Sequence, residues 1–335
     1  MFIPEKVVFD EKALNYTLGI ELLNRFKKEK IEIQINKTGR VTGDTKESDT
    51  EKFFSGKRTL VVGVRGDSKF QTCKPSAHYQ LPLVSGCMGM CEYCYLNTQL
   101  GKRPYTKIYV DIDEILNKAF NYAEERLPEI TIFEGSATSD PIPVENYTHA
   151  LKKAIEAFGS NDNTRFRFVS KFNEVHELLG IKHNGHTTIR FSINTNEIIK
   201  KYEHGTNLID ERLEAAKKIK EAGYKLGFII APVFIYKGWK EEYLELINKV
   251  KNMFDKEYIE FEVISHRFTE RAKKNILSIY PSSTLPMSEE ERKFKFGQFG
   301  YGKYIYKDEE LKEIKGFFKE TLSSNFGEKS IKYII

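Results

Sequence analysis

From about residue 78 onward the chain alternates short apolar stretches with amphipathic stretches, and this alternation restricts its fold more than any other feature. The apolar stretches are rich in Ile, Val and Phe, as strands buried on both faces of a parallel sheet are. The amphipathic stretches have the period of helices. The predicted strands are 81–84, 130–134, 165–170, 188–194, 225–231 and 258–264, and the predicted helices are 111–126, 143–158, 174–179, 209–222 and 239–251.

Repeated strand–helix units of this kind predict a parallel barrel or a doubly wound sheet. About six units fall short of the eight that close a complete barrel. We therefore predict an α/β fold built on an open, partial (βα)6 barrel. The predicted units are a small N-terminal α/β unit (1–75), the partial barrel (76–265), and a C-terminal basic and aromatic β-hairpin with a helix (266–335).

Composition narrows the class of protein. The longest apolar run, 226–235, is half the ~20 residues that a membrane span needs, and it contains a proline. The first residues lack the basic and apolar regions of a secretion signal, so we expect a cytoplasmic protein without a membrane partner. Lys and Arg exceed Asp and Glu by only 53 to 48, but residues 265–307 carry nine basic against four acidic residues. An anionic partner would bind this end.

Three of the four cysteines, Cys87, Cys91 and Cys94, form a C-x3-C-x2-C array in the loop after the predicted strand 81–84. Clustered thiols in a reducing compartment indicate a metal site. Four thiolates would occupy every iron of a [4Fe-4S] cluster, whereas three leave one iron open to a ligand from outside the protein. The alternative is a structural zinc site, but zinc takes four ligands and the nearest histidine, His78, lies nine residues before Cys87.

This array resembles the signature of radical S-adenosylmethionine (AdoMet) enzymes, and its surroundings resemble the spore photoproduct lyase family. The similar segments are SGCMGMCEYCYLNTQLGKRPYTKIYV, FEGSATSDP, RFRFVSKF, IRFSIN, GYKLGFIIAPVF, SHRFT and GYGKYIY, which together span essentially the whole chain. The resemblance implies a radical AdoMet barrel with a [4Fe-4S] cluster on the three cysteines. It also implies a DNA-repair lyase in which a 5′-deoxyadenosyl radical abstracts a hydrogen atom from the thymine dimer called spore photoproduct, which then splits into two thymines.

The resemblance also implies which residues contact AdoMet. Ser139, Asp140, Lys171 and Ser192 stand at the ends of successive predicted strands, where the family binds this cofactor. A polar, zwitterionic molecule needs charged and hydroxyl partners of this kind. Taken alone, an aspartate before a helix is usually a cap, and a lysine is usually a solvated surface residue.

Tyrosines and a thiol complete the predicted catalytic set. Tyr93 and Tyr95 bracket Cys94, where a tyrosine alone would usually be packing, and the resemblance implies that both relay a radical. The family's hydrogen donor is a cysteine, but this chain has Ala137 at that position. Three explanations are open: an engineered replacement, a different donor, or a different quenching reaction. Cys73 is the only spare thiol and our predicted donor, and its alternative role is that of a small buried apolar residue.

The C-terminal segment is the predicted DNA-binding end. Aromatic residues alternate with basic residues and glycine through 291–307, which predicts a β-hairpin. A dimer inside a duplex cannot reach a buried radical, so we expect double-stranded DNA with the lesion flipped out. Lys303, Arg267 and Lys273 would contact phosphates and Tyr304 would lie beside them. Alternatively, the hairpin only caps the edge of the barrel, with lysines that prevent aggregation.

The resemblance further implies a flavodoxin-type or ferredoxin-type electron donor and a site of action in the bacterial spore or germinating cell. Two alternative functions stay open. One is a radical AdoMet enzyme acting on another nucleic acid or on a small molecule. The other is a non-catalytic zinc protein that binds nucleic acid, which would be colourless rather than brown when purified without oxygen.

Overall fold

The computed structural model describes residues 2–41, 46–255, 257–296 and 302–335. The helices are α1 (Thr17–Lys28), α2 (Asp49–Lys57), α3 (Leu96–Gln99), α4 (Ile112–Glu124), α5 (Glu145–Thr148), α6 (Ala150–Gly159), α7 (Asn196–Tyr202), α8 (Ile209–Glu221), α9 (Trp239–Met253), α10 (Glu270–Ile279) and α11 (Asp308–Phe326). The strands are β1 (Lys6–Asp10), β2 (Glu32–Asn36), β3 (Thr59–Gly63), β4 (Thr72–Cys73), β5 (Ala77–Gln80), β6 (Val84–Ser85), β7 (Met90–Cys91), β8 (Thr106–Tyr109), β9 (Thr131–Glu134), β10 (Thr164–Ser170), β11 (Thr187–Ile193), β12 (Glu203–His204), β13 (Lys225–Val233), β14 (Glu260–Ser265), β15 (Lys293–Phe296), β16 (Gly302–Ile305) and β17 (Ile331–Ile334). Within the described ranges, no helix combines the length and apolar character needed to span a membrane.

The main sheet has eight strands in the order β17-β14-β13-β11-β10-β9-β5-β4 and curls into a half-barrel. Its strands run parallel except β4, which pairs antiparallel with β5. Alternation along β10 shows how the sequence builds the two faces. Phe166 and Phe168 are buried on the side of the helices, where Phe166 stacks on Phe158 of α6 at 5.4 Å between ring centroids. Arg167, which lies between them, faces the concave side, so the inside of the half-barrel is polar there.

A second sheet, in the order β2-β1-β3-β8-β6, packs the N-terminal residues together with strands from beyond residue 75. The prediction that 81–84 forms a strand of the barrel was wrong, because β6 belongs to this smaller sheet and pairs antiparallel with β8. The strand beside β9 is instead β5, which ends two residues before Pro82. Proline has no N–H to give to a sheet ladder, which disfavours a barrel strand that runs through Pro82.

The predicted helix at 143–158 is broken into α5 and α6 at His149, which has a φ of 49°. The buried Glu145 carboxylate explains the break, because it accepts hydrogen bonds from the backbone N–H groups of Leu151 and Lys152, each at 2.8 Å. It therefore caps the start of α6 with a side chain from the preceding helix. The predicted helix at 174–179 is only a 3-10 turn, His176–Leu178.

The C-terminal segment forms both predicted elements, and it also contains helix α10 and strand β17, which were not predicted. Strands β15 and β16 pair antiparallel as a hairpin, and α11 follows it. Residues 297–301, at the predicted tip, lie outside the described residues. The tail after α11 forms β17, which pairs parallel with β14 at one edge of the main sheet.

Candidate active site

The loop of three cysteines is fixed at both ends and along its middle. Gly86 has a φ of +80°, and a Cβ there would lie 2.2 Å from the carbonyl oxygen of Tyr105, so only glycine fits. Further along, β7 pairs antiparallel with β12, which aligns Cys91 with Glu203. The buried Lys57 donates from Nζ to the carbonyl oxygen of Cys87 at 2.8 Å. These contacts hold the backbone of the cysteine loop in place.

The sulfur atoms fit an iron–sulfur cluster better than a single metal ion. A tetrahedral zinc site with Zn–S bonds of ~2.3 Å brings its sulfurs to about 3.8 Å from one another. Over the described part of the chain, the sulfurs of Cys87, Cys91 and Cys94 do not all lie within 4.8 Å of one another. The backbone N–H of Gly89 points at Cys87 Sγ at 3.3 Å, which is the kind of hydrogen bond that tunes cluster sulfurs. Burial raises the pKa of the Cys87 thiol to about 12, so a bound metal would have to displace its proton.

Lys171 is at the centre of a cluster of polar side chains at the carboxyl ends of the strands. Its Nζ donates to Ser192 Oγ at 2.9 Å, to Glu203 Oε1 at 2.8 Å and to the Tyr93 hydroxyl at 3.2 Å. Tyr93 in turn donates to Glu203. The structure thus brings together three residues singled out in the sequence and one that was not.

Glu203 is the residue that sequence reasoning missed. Its side chain is fully buried, and it also accepts from Arg212 Nη2 at 2.6 Å. Burial opposes ionisation of Glu203, but Lys171 and Arg212 outweigh it and lower its pKa to about 2. No motif marks this glutamate, and only its pairing with the cysteine loop reveals it.

Asp140 accepts hydrogen bonds from Ser170 and from the backbone of Lys171. Its Oδ1 accepts from Ser170 Oγ at 2.8 Å and its Oδ2 from the backbone N–H of Lys171 at 2.9 Å, so it orients the end of β10. Burial raises the pKa of its carboxyl to about 6. Ser139 lies next to it and bridges in parallel to Gly86, which links this strand end to the cysteine loop. Both residues border the site, with Asp140 holding Lys171 in place.

Tyr95 contacts Ala137 on the other side of the cysteine loop, and Cys73 lies within electrostatic range of Tyr95. Tyr95 is half exposed, and its hydroxyl donates to the carbonyl oxygen of Ala137. Burial raises the pKa of Tyr95 above its usual value, and Cys94 and Cys73 each add to the rise, so the Cys73 thiol lies near this phenol. Cys73 ends β4 three residues before Ser76, whose hydroxyl donates to Glu134, so the turn of Cys73 lies against the concave face.

Two of the four predicted DNA contacts form an unpaired basic cluster. Burial lowers the pKa of Lys303, and the charges of Arg267 and Lys295 lower it further, so these cations lie close together. Among the residues that the structure describes, none of the three has an ion pair with a carboxylate. Such a cluster suits a phosphate.

The other two predicted contacts have protein partners. Lys273 pairs with Glu289 at 3.0 Å, and the ring of Tyr304 stacks on Phe268 at 5.2 Å. Tyr304 thereby holds the hairpin to the segment between β14 and α10. In the described part of the hairpin, Phe294 and Phe296 have exposed aromatic rings, at 49% and 76% exposure, and neither was among the predicted contacts.

Known proteins resemble the chain over its full length. A family model described as spore photoproduct lyase matches residues 2–335. Spore photoproduct lyase of Clostridium acetobutylicum is 56% identical over 330 residues, which cover 98% of each chain. The protein of the same name from Geobacillus sp. is 44% identical over 336 residues, covering 99% of this chain and 98% of its own.

A solved structure of a spore photoproduct lyase mutant with bound AdoMet and dinucleoside spore photoproduct has a TM-score of 0.96 and 44% identity, covering 100% of this chain and 99% of its own. That mutant replaces one cysteine by alanine and an earlier serine by cysteine. The two positions have the same order and separation as Cys73 and Ala137 of this chain.

Proposed function

The chain belongs to the spore photoproduct lyase family, and on that premise we propose that it is a radical AdoMet carbon–carbon lyase that splits spore photoproduct in UV-damaged DNA into two thymines. The observation that carries this proposal is the convergence of Tyr93, Lys171 and Ser192 beside the loop of three cysteines. A structural zinc protein would have no use for a partly buried lysine and tyrosine at that place. We also propose that the protein acts in the cytoplasm of a spore-forming bacterium.

Cys87, Cys91 and Cys94 would hold a [4Fe-4S] cluster, and Lys171 and Ser192 would bind AdoMet at its open side. When bound, the reduced cluster and AdoMet supply a carbon-centred radical that abstracts a hydrogen atom from the lesion. Lys171 carries a positive charge that suits the carboxylate of AdoMet. Glu203 holds the Lys171 ammonium between Ser192 and Tyr93, and Asp140 fixes the backbone of Lys171.

Cys73 would quench the thymine radical that is left when the dimer splits. Its S–H bond is weak enough to give up a hydrogen atom, and Ala137 has no such bond. The sulfur is left as a thiyl radical, which the O–H of Tyr95 restores to a thiol, and Tyr93 restores Tyr95. Each transfer moves one hydrogen atom, so the radical ends at Tyr93 beside Lys171. The proximity of Cys73 to Tyr95 supports this order, as does the mutant relative with cysteine and alanine at the same separation.

The DNA would lie across the hairpin, with Arg267 and Lys303 on the phosphates and the lesion flipped into the concave face of the half-barrel. Phe294 and Phe296 offer exposed rings for stacking on bases. We expect a small acidic flavodoxin or ferredoxin as the electron donor.

The proposal is tested by anaerobic turnover of an oligonucleotide that carries spore photoproduct, with AdoMet and dithionite. We expect two thymines per lesion, and no change in an oligonucleotide that carries a cyclobutane thymine dimer. Cys91→Ala should lose iron and all turnover, since two thiolates cannot hold the cluster. Zinc in place of iron in the purified protein, or equal activity on the cyclobutane dimer, would contradict the proposal.

A further inference from the structure

Ser76 joins the turn that carries Cys73 to charged side chains on the concave face of the half-barrel. Cys73 ends β4, and Ser76 directly precedes β5. Ser76 Oγ donates to Glu134 Oε2 at 2.9 Å, and its carbonyl oxygen accepts from Arg167 Nη1 at 3.1 Å. Both the side chain and the backbone of this one residue are therefore held by charged groups.

Those charged groups belong to a closed band on the concave face. Arg190 reaches both Glu134 and Glu262, and Arg167 also reaches Glu262. Glu134, Arg167 and Arg190 come from the adjacent strands β9, β10 and β11, and Glu262 comes from β14, one strand beyond β13. The hydroxyl of Tyr333 in the edge strand β17 donates to Glu262. Two cations and two anions balance, and three of the four side chains are at most 4% exposed. A buried band in which every charge has a partner is rigid, because moving one member leaves another unpaired.

We propose that Ser76 and Glu134 are positioning residues for the Cys73 hydrogen donor, holding its thiol at a fixed place under the bound lesion. This inference rests on the proposed function, in which Cys73 quenches the thymine radical. Tyr79 of β5 packs on Tyr122 of α4 and anchors the far side of the hairpin, but among the described contacts the Ser76 hydroxyl is the one that ties the turn itself to Glu134. The exposed residues Lys74 and Pro75 beside it give little further anchoring.

Burial and the negative charge of Glu134 both favour the neutral thiol form of Cys73. Burial raises the pKa of Cys73 to about 11, and the negative charge of Glu134 contributes to the rise ahead of the opposing arginines. Only the neutral thiol has a hydrogen atom to give, and a thiolate has none. Glu134 thus acts on Cys73 in two ways, through the hydrogen bond to Ser76 and through its charge.

The test compares two serines that donate to the same glutamate. Ser76 donates to Glu134 Oε2 at 2.9 Å and Ser136 to Oε1 at 2.8 Å, but only Ser76 lies on the turn of Cys73. In single turnovers of lesion DNA, Ser76→Ala should lower the ratio of thymine to trapped by-product about tenfold, the worth of one hydrogen bond to a charged group. Consumption of lesion and cleavage of AdoMet should be unchanged. Ser136→Ala should leave the ratio as in the unmodified protein, and Ser76→Thr, which keeps the hydroxyl, should restore it.

The outcomes separate this inference from the proposed function. If Cys73→Ala gives the normal ratio, the donor assignment fails, and the inference fails with it. If Cys73→Ala lowers the ratio while Ser76→Ala and Ser136→Ala behave alike, the donor stands and the positioning role is refuted. If Ser76→Ala proves unstable, Ser76→Thr decides, because a ratio still lowered in a folded hydroxyl-bearing variant would contradict positioning by the hydrogen bond.

Discussion

Replacing the buried Glu203 by glutamine should destabilise the protein and weaken AdoMet binding together. Glu203 is fully buried, and it faces two cations, Lys171 Nζ at 2.8 Å and Arg212 Nη2 at 2.6 Å. Removing one partner of a buried ion pair leaves an uncompensated charge and costs about 3–5 kcal/mol. Glutamine can still accept one hydrogen bond, so we expect a loss near the lower end, roughly 3 kcal/mol. Lys171 would also lose the group that orients it.

The assay is equilibrium urea unfolding of the cluster-free protein, followed by AdoMet binding to the reconstituted protein. Asp210→Asn is the matched control, because Asp210 pairs with Lys249 at 2.6 Å but is 71% exposed. An exposed pair of this kind contributes less than about 1 kcal/mol. We expect AdoMet affinity to fall about tenfold in Glu203→Gln only, which corresponds to one lost charge-assisted contact. Equal losses of stability in the two variants would refute the reasoning, as would normal AdoMet affinity in Glu203→Gln.

Three further results are expected. Arg267→Ala combined with Lys303→Ala should lower the log–log salt slope of DNA binding by about 2, because each phosphate contact contributes ~0.9, whereas Lys274→Ala, whose partner is Glu270, should not change it. Burial, aided by Arg292, lowers the pKa of His266 to about 3. The stability that neutral His266 contributes is therefore present above pH 6.5 and falls by up to ~1.4 kcal/mol per pH unit as the pH drops towards 3. In His266→Phe, the urea midpoint of unfolding should depend less on pH over that range. Ala137→Cys should rescue thymine yield in a Cys73→Ala background, and failure to do so would separate the two positions functionally.

The sequence predicted most of the parallel sheet and the cysteine site, because both depend on local patterns. The predicted strand 165–170 is confirmed by β10 and its Phe–Arg alternation. The family resemblance is confirmed by relatives that match nearly the full length. Lys171 directly follows β10 and Ser192 lies in the last residues of β11, so their meeting in space could be anticipated from parallel strands that share one edge.

What the sequence could not give depends on partners far apart in the chain. Glu203 lies more than a hundred residues after the cysteine loop, and only the pairing of β7 with β12 joins them. The Ser76–Glu134 contact likewise requires the β4–β5 hairpin to lie beside β9. The tail strand β17 was missed because its few residues gain their ladder only from the edge of β14. In each case tertiary contacts, rather than local propensity, decide the structure.

The measurement that tests the central claim most directly is one anaerobic turnover of lesion DNA in D2O, with mass analysis of the thymine released. Exchange with solvent converts the Cys73 thiol to S–D before the reaction starts. We predict one deuterium in the repaired thymine pair for the unmodified protein. With Cys73→Ala we predict lesion consumption with little thymine and no such label. Unlabelled thymine from the unmodified protein, or full labelled yield from Cys73→Ala, would contradict the account.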